Sequence, residues 1–229
     1  MPDVVRALAG DILSGRFVPG AMLPREPDLC VQYEVSRTVI REALKVLDAK
    51  GLVVTRSRVG TQVADPDDWN ILDPQLIEWH PKGALDKRIF DAILETRRGI
   101  EPLAAEFAAE RASLAELAAI EEALHGMEAA GNDIQKFARA DINFHQALYA
   151  ASRNPIFRQI GKLIDAALTF AFQETAALSS DERAKATRVH AALVDALRVR
   201  DTKAARLASE AIIDLATHDM AKALKIDVF

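Results

Sequence analysis

Apolar residues recur at helical spacing from the start of the chain: Val4, Val5, Leu8, Ile12 and Leu13 fall on one face, and Gly15 ends the segment. Phe17-Val18-Pro19-Gly20 reads as a turn. A short helix over 26–34 follows. A longer one over 36–50 is opened by Ser36 and carries Val39, Ile40, Ala43, Leu44 and Leu47 on its apolar side. Gly51 stops it, because the residue after a helix end commonly needs positive φ. Residues 52–55 and 61–64 then take strand character around a basic tip, Arg56-Ser57-Arg58-Val59-Gly60. Residues 65–84 hold three prolines and both tryptophans, Trp69 and Trp79. A solvated linker seldom carries two tryptophans, so this one is expected to pack against one or both flanking domains. From Leu85 onward the pattern is helical only, over 85–110, 113–130, 134–152, 155–178, 181–200 and 202–225. Short breaks separate these helices, such as Gly131-Asn132-Asp133 and Asn154-Pro155.

These elements predict a mainly α chain in two domains: a head over 1–64 and an antiparallel helical bundle over 85–229, joined by the linker 65–84. Three helices followed by a two-stranded wing form a winged helix-turn-helix, which reads DNA with the first turns of its last helix. Arg37 and Arg41 lie four residues apart and project from one face, with Thr38 between them. Arginines so placed can grip guanine or pin phosphates. Arg56 and Arg58 at the wing tip would reach the backbone or the adjacent minor groove, and Gly60 lets the tip turn and approach closely. Ser36 and Arg25 complete the candidate DNA-binding set. The plainer alternative is a solvated helix face beside an ordinary hairpin; the wing at the right distance weighs against it.

Charge supports that division. Net charge is −5 over 229 residues, which argues against nonspecific coating of nucleic acid. Residues 1–64 hold 9 Lys and Arg against 7 Asp and Glu, whereas residues 65–229 hold 20 against 27. A slightly basic head on an acidic body fits a small DNA-contacting module. Cys30 is the single cysteine, so no intrachain disulfide is possible, and it reads as core packing. Neither a signal peptide nor an uncharged run of membrane-spanning length is visible, which predicts a cytoplasmic protein with no membrane partner.

The bundle has charged residues where its core should be. Asp141 and His145 sit one turn apart in the stripe Ile134, Phe137, Phe144, Leu148. His190 interrupts Ala186, Leu193, Leu197, and Arg97 interrupts Ile93, Ile100, Ala104. A buried charge is expensive unless paired, so each position demands a partner. One shared cavity would satisfy them all, with a divalent cation on Asp141, His145 and His190 and an acidic ligand meeting both the cation and Arg97. Taken singly, each has a duller reading: a satisfied core histidine, an Asp141–His145 hydrogen bond, an Arg97–Glu101 pair.

Residues 23–63 resemble the DNA-binding domain of the GntR family of bacterial regulators. The resemblance rests on Leu23-Pro24, Glu26, Leu29, Val35-Ser36-Arg37-Thr38-Val39, Arg41-Glu42-Ala43-Leu44, Gly51-Leu52, Gly60-Thr61 and Val63. Arg25 departs from the usual small capping residue, and Pro27 replaces a DNA-contacting arginine of many members. Residues 85–225 resemble the FCD ligand domain of the FadR subfamily through Glu95-x-Arg97-x3-Glu101-Pro102, Asp141-x3-His145 with Asn154, and His190-x6-Leu197-x3-Asp201. That resemblance implies a divalent metal, zinc first, on Asp141, His145 and His190. It also implies a small carboxylate effector, an operator of palindromic double-stranded DNA, and a homodimer. The family's third histidine position is Ile212 here, and His218 lies about 240° around the helix from it. The linker core Trp69-Asn70-x-Leu72-Asp73 is similar to that of sugar-acid-responsive members, which implies an aldonate effector. Arg97 would then take its carboxylate, and helix phasing suggests Asn143, Thr169 and Gln173 for its hydroxyls. The expected function is a transcription regulator, a repressor rather than an enzyme, of a sugar-acid operon. The alternative is a metal-dependent sugar-acid enzyme carrying a DNA-binding head, for which no general base or nucleophile motif is visible.

Overall fold

A computed structural model describes residues 2–71, 73–80, 87–162, 164 and 179–224. The chain divides into two compact units, Met1–Asp86 and Lys87–Phe229.

In the first unit, α1 (Pro2–Leu13), α2 (Glu26–Gln32) and α3 (Arg37–Ala49) precede the antiparallel pair β1 (Val53–Arg56) and β2 (Gly60–Val63). Leu8, Ile12, Leu29, Ile40, Leu47 and Leu52 form its core, with Cys30 packed at the edge. The Ser36 side chain caps α3 by accepting from the Val39 N–H at 3.5 Å. Gly51 follows α3 with φ 74°. The strands run one residue away from their expected bounds, because Val53 and Val63 are the cross-strand pair that faces the core. The wing tip is accordingly only Ser57-Arg58-Val59, with Arg58 at φ 66°.

The linker's first part is built into this same unit. Pro66–Asp68 forms a 3-10 turn, and Pro74–Trp79 forms α4, a helix the sequence pattern did not suggest. Leu76 joins the head core, and Trp69 and Trp79 pack against it. Trp69 Nε1 donates to the Ala64 carbonyl at 3.3 Å. Lys50, at the end of α3, pairs with Asp73 at 2.5 Å and lies 5.1 Å from the Trp79 ring centroid. The Asn70 N–H donates to the Lys50 carbonyl at 3.0 Å. A Cβ at Gly51 would collide with the Asp68 carbonyl, so this glycine answers both to φ and to the returning chain.

The second unit contains α5 (Lys87–Arg111), α6 (Leu114–Ala129), α7 (Ile134–Ala151), α8 (155–162), α9 (Ser180–Arg198) and α10 (Thr202–Leu224). Helix α6 packs on α7, α10 on both α5 and α9, and α5 on α7. Ala105, Ala108 and Ala109 on α5, with Ala112 just after it, bring neighbouring backbones close, and Phe137, Phe144, Leu148, Leu193 and Leu197 fill the centre. Ser113 and Ser179 open α6 and α9 with capping boxes closed by Glu116 and Glu182. Asn154 Oδ1 accepts from the Ile156 N–H at 2.9 Å and starts α8. The expected helix over 155–178 lies largely outside the described residues.

Candidate functional site

Two groups of side chains stand out: an exposed basic set on the head and a buried polar set in the bundle. On the head, Arg37, Thr38 and Arg41 occupy the first turns of α3 and are exposed. Arg41 Nε lies 3.9 Å from Glu26 Oε1, with 66% and 45% of the side chains exposed, a tie too loose to hold the arginine against a phosphate. Arg56 ends β1, Arg58 sits at the wing tip, and both are exposed. Arg25 is exposed at the α2 N-cap position and makes no capping hydrogen bond. Two other candidates have internal work. The Ser36 hydroxyl is occupied in capping α3. Gly60 has φ 119°, and a Cβ there would come 2.8 Å from Met22 Cε, where Met22 bridges to Gln62.

In the bundle, α7 supplies Asp141 and His145, α9 supplies His190, and α5 supplies Arg97 and Glu101. None of the five is more than 7% exposed. Asp141, His145 and His190 each offer a ligand atom, all within 4.8 Å of one another. His190 Nε2 lies 3.3 Å from Asp141 Oδ1, and His145 Nε2 lies 3.9 Å from Asp141 Oδ2. Phe144 stands edge-on to both imidazoles, at ring-centroid distances of 5.9 Å and 4.7 Å, and fixes their planes.

Hydrogen bonds set the tautomers. His190 Nδ1 is 2.8 Å from the Ala186 carbonyl, which only accepts, so Nδ1 carries the proton. The Nε2 lone pair of the neutral ring is then left facing a carboxylate oxygen, and Nε2 is buried with no hydrogen bond of acceptable geometry. Lone pair against carboxylate is repulsive unless a proton or a metal cation lies between them. This arrangement fits a divalent transition metal, for which two imidazoles and a carboxylate are suitable donors.

Electrostatics keeps the acids charged. Burial works against ionisation of Asp141, yet the close imidazoles of His190 and His145 and the Arg97 cation hold its carboxyl below the usual range. Glu101 behaves likewise: burial opposes its charge, but Arg97 and His145 hold it well below ordinary carboxylates. Burial disfavours the Arg97 cation too, and Glu101 more than offsets it.

Of the predicted site residues, Asp141, His145, His190 and Arg97 come together. Arg97 does not project into open space. Its Nε donates to Glu101 Oε1 at 2.5 Å, and Nη2 donates to Glu101 Oε2 at 3.3 Å. Nη2 also lies 3.1 Å from His145 Nε2. Glu101, weighed from sequence only as a plain partner for Arg97, also stands 3.1 Å from His145 Nδ1. The one-turn spacing of Arg97 and Glu101 was the signal for the first contact; nothing in the sequence marked the second. Asn143 is not brought to this cluster. Two residues turn a helix by about 200°, so it faces away from Asp141. It is exposed and lines an open groove with Gln146, Arg158 and Lys162. Thr169 and Gln173 lie outside the described residues. Ile212 is buried in the apolar core, so α10 offers the cluster no ligand at that position. Among the described residues, no helix is long and apolar enough to cross a membrane.

Residues 2–63 match the model of bacterial regulatory proteins of the gntR family, and residues 92–215 match the FCD domain. The chain is 35% identical to the galactonate operon transcriptional repressor of Escherichia coli, over 93% of each protein. It is 31% identical to the transcriptional regulator LutR of Bacillus subtilis, over 72% of this chain and 73% of that one. It is also 31% identical to the Uxu operon transcriptional regulator of Escherichia coli, over 65% of this chain and 58% of that protein. Among solved structures, Lar, which controls the Listeria monocytogenes agr system, superposes with a TM-score of 0.71 over 99% of this chain and 97% of its own at 19% identity. McbR/YncC of Escherichia coli does so at 0.57, with 21% identity and 96% of both chains covered. These two likenesses bear on fold alone.

Proposed function

The chain belongs to the gntR family as a FadR-type, DNA-binding transcription regulator with an FCD domain, and from that footing we propose that it represses a sugar-acid catabolic operon in the cytoplasm. An aldonate entering the FCD domain releases it from the operator. The effector class is supported by the 35% identity to a galactonate operon repressor along 93% of both chains. A second relative named for the Uxu operon points the same way.

The effector site is the buried cluster, and the carrying observation is His190 Nε2 facing Asp141 at 3.3 Å without a hydrogen bond. Asp141, His145 and His190 hold a divalent ion, with zinc first on the character of the donors. When bound, the ion supplies Lewis-acid attraction for a carboxylate and its α-hydroxyl. Arg97 takes a carboxylate oxygen in a charge-assisted hydrogen bond. Glu101 holds Arg97 and stands 3.1 Å from His145 Nδ1. Helix α5, which carries Arg97 and Glu101, is the bundle helix nearest in sequence to the DNA-binding unit, so the effector contacts that helix.

On DNA, two heads of a homodimer occupy the half-sites of a palindromic operator. Arg37, Thr38 and Arg41 meet base edges and phosphates in the major groove, Arg56 and Arg58 follow the backbone or the adjacent minor groove, and Arg25 pins a phosphate. The zinc-loaded full chain is tested against promoter DNA from beside its own gene, with aldonates, fatty acids and amino acids as candidate effectors. Aldonates should raise the melting temperature and release the DNA in a gel shift. Arg37→Ala and Arg41→Ala should abolish specific retardation and leave the aldonate shift in melting temperature intact. A response to fatty or amino acids alone would defeat the effector class, and undiminished DNA binding by both variants would defeat the recognition set.

A further inference from the structure

We propose that Arg97 is a built-in cation which occupies the metal's place at His145 in the metal-free protein, so that metal must bind before the carboxylate effector can. The inference rests on the metal reading of the Asp141–His145–His190 cluster given above.

The argument begins with which partner donates. Arginine has no acceptor and stays protonated, so in its 3.1 Å contact with His145 Nε2 the guanidinium Nη2 must donate. His145 Nε2 therefore presents its lone pair to Arg97, and the ring proton sits on Nδ1, 3.1 Å from Glu101 Oε2. Nε2 is also the nitrogen nearer Asp141, 3.9 Å from Oδ2. It is the nitrogen the cluster would use as a ligand. A ring nitrogen has one in-plane lone pair: it can accept from Arg97 or bind a metal, but not both.

Release of Arg97 from His145 is cheap in this setting. The guanidinium keeps its contact with Glu101 through Nε at 2.5 Å, so losing the histidine contact does not strand a buried charge. What metal binding frees is the Nη2 hydrogen that pointed at His145; Nη2 keeps its 3.3 Å contact with Glu101 Oε2.

Formal charge gives the order of events. With neutral imidazoles, the cluster of Arg97, Glu101 and Asp141 carries a net −1, which attracts a cation and repels a carboxylate. A divalent ion turns this into a net +1, which attracts a carboxylate. Both changes act together: the charge reverses as the arginine hydrogen becomes available.

The test uses the full chain stripped with a chelator, titrated with zinc and then with an aldonate by calorimetry. In Arg97→Met the competing donor is gone, and zinc should bind about tenfold more tightly, the worth of one hydrogen bond to a charged group. That variant also unmasks the Glu101 charge, which would itself attract zinc. Arg97→Met/Glu101→Gln restores the net −1, so tightening that persists there belongs to the freed lone pair. In wild type, the chelated protein should show no aldonate heat and the zinc-loaded protein should show saturable binding. Equal zinc affinity in wild type and the double variant overturns the inference, as does aldonate binding of the same strength with and without zinc. Should the variants not fold by circular dichroism, this wild-type comparison decides alone. Wild type taking up no zinc would instead overturn the metal reading beneath it.

Discussion

Changing Glu101 to alanine asks what holds the polar centre of the bundle together. Arg97 and Glu101 are 2% and 1% exposed and joined at 2.5 Å. Removing one member of such a pair leaves the other as an uncompensated buried charge, at a cost of about 3–5 kcal/mol. Glu101→Ala also removes the carboxylate 3.1 Å from His145 Nδ1, an approach without hydrogen-bond geometry, so the loss of the Arg97 pair sets the cost. Arg97→Met/Glu101→Leu removes both charges and refills the volume with apolar atoms. It should cost far less than the sum of Arg97→Met and Glu101→Leu, with a coupling of about 3 kcal/mol. Urea unfolding with chelator present measures this without the contribution of metal binding to stability. The chain has two units, so a single transition cannot be assumed. Their signals separate, however. Both tryptophans lie in the first unit, so their fluorescence follows the head, whereas far-ultraviolet circular dichroism is dominated by the long helices α5 to α10. The loss should appear in the dichroism transition and leave the fluorescence transition in place. Single variants within about 1 kcal/mol of wild type would refute the buried-pair argument, as would a cycle that adds without coupling.

Gly51→Ala should destabilise the head by about 2–3 kcal/mol, combining the left-handed penalty with the clash against the Asp68 carbonyl. The tryptophan transition reports it, and a loss under about 0.5 kcal/mol would show that the linker does not return over this position as described. A second expectation concerns acid. Glu101 and Asp141 are held below their ordinary range in the fold, so their contribution to stability is complete above the unfolded carboxylate value of about 4 and is lost as pH falls through the lower folded values. Wild-type bundle stability should therefore fall below about pH 4, and Glu101→Gln should flatten that fall in a dichroism titration. An unchanged slope in the variant would contradict this.

The helices were legible because their signals are local. Asn154 before Pro155 marks the start of α8, and α6 and α9 open within a residue of the expected 113 and 181, on the capping boxes Ser113–Glu116 and Ser179–Glu182. Helix α4 was not legible. Six residues of Pro74–Trp79 are too few for a helical period to show, and the helix is held by packing of Leu76 and Trp79 on the head rather than by its own propensity. The strand bounds slipped by one for a related reason. Leu52 and Val53 are both buried, and a sequence cannot say which of two adjacent apolar residues begins the ladder.

In the candidate site, helical phase and choice of partner had different fates. Phase placed Asp141 and His145 on one face and put His190 and Arg97 in apolar stripes, and all four converge. Phase also carries the information that removes Asn143, two residues from Asp141 and thus on the far side of α7. Partner choice needs the third dimension. An arginine in a core stripe looks the same in sequence whether it awaits an anionic ligand or is already satisfied. Glu101 binds it through Nε, the pairing that the one-turn spacing allowed, and His145 accepts from Nη2, a contact the pattern did not suggest. An effector carboxylate that takes Nη2 must exchange with one of these two partners. Glu101 carries a full charge and is buried beside it, whereas His145 offers a neutral lone pair that a metal can claim. The histidine contact is therefore the one that yields.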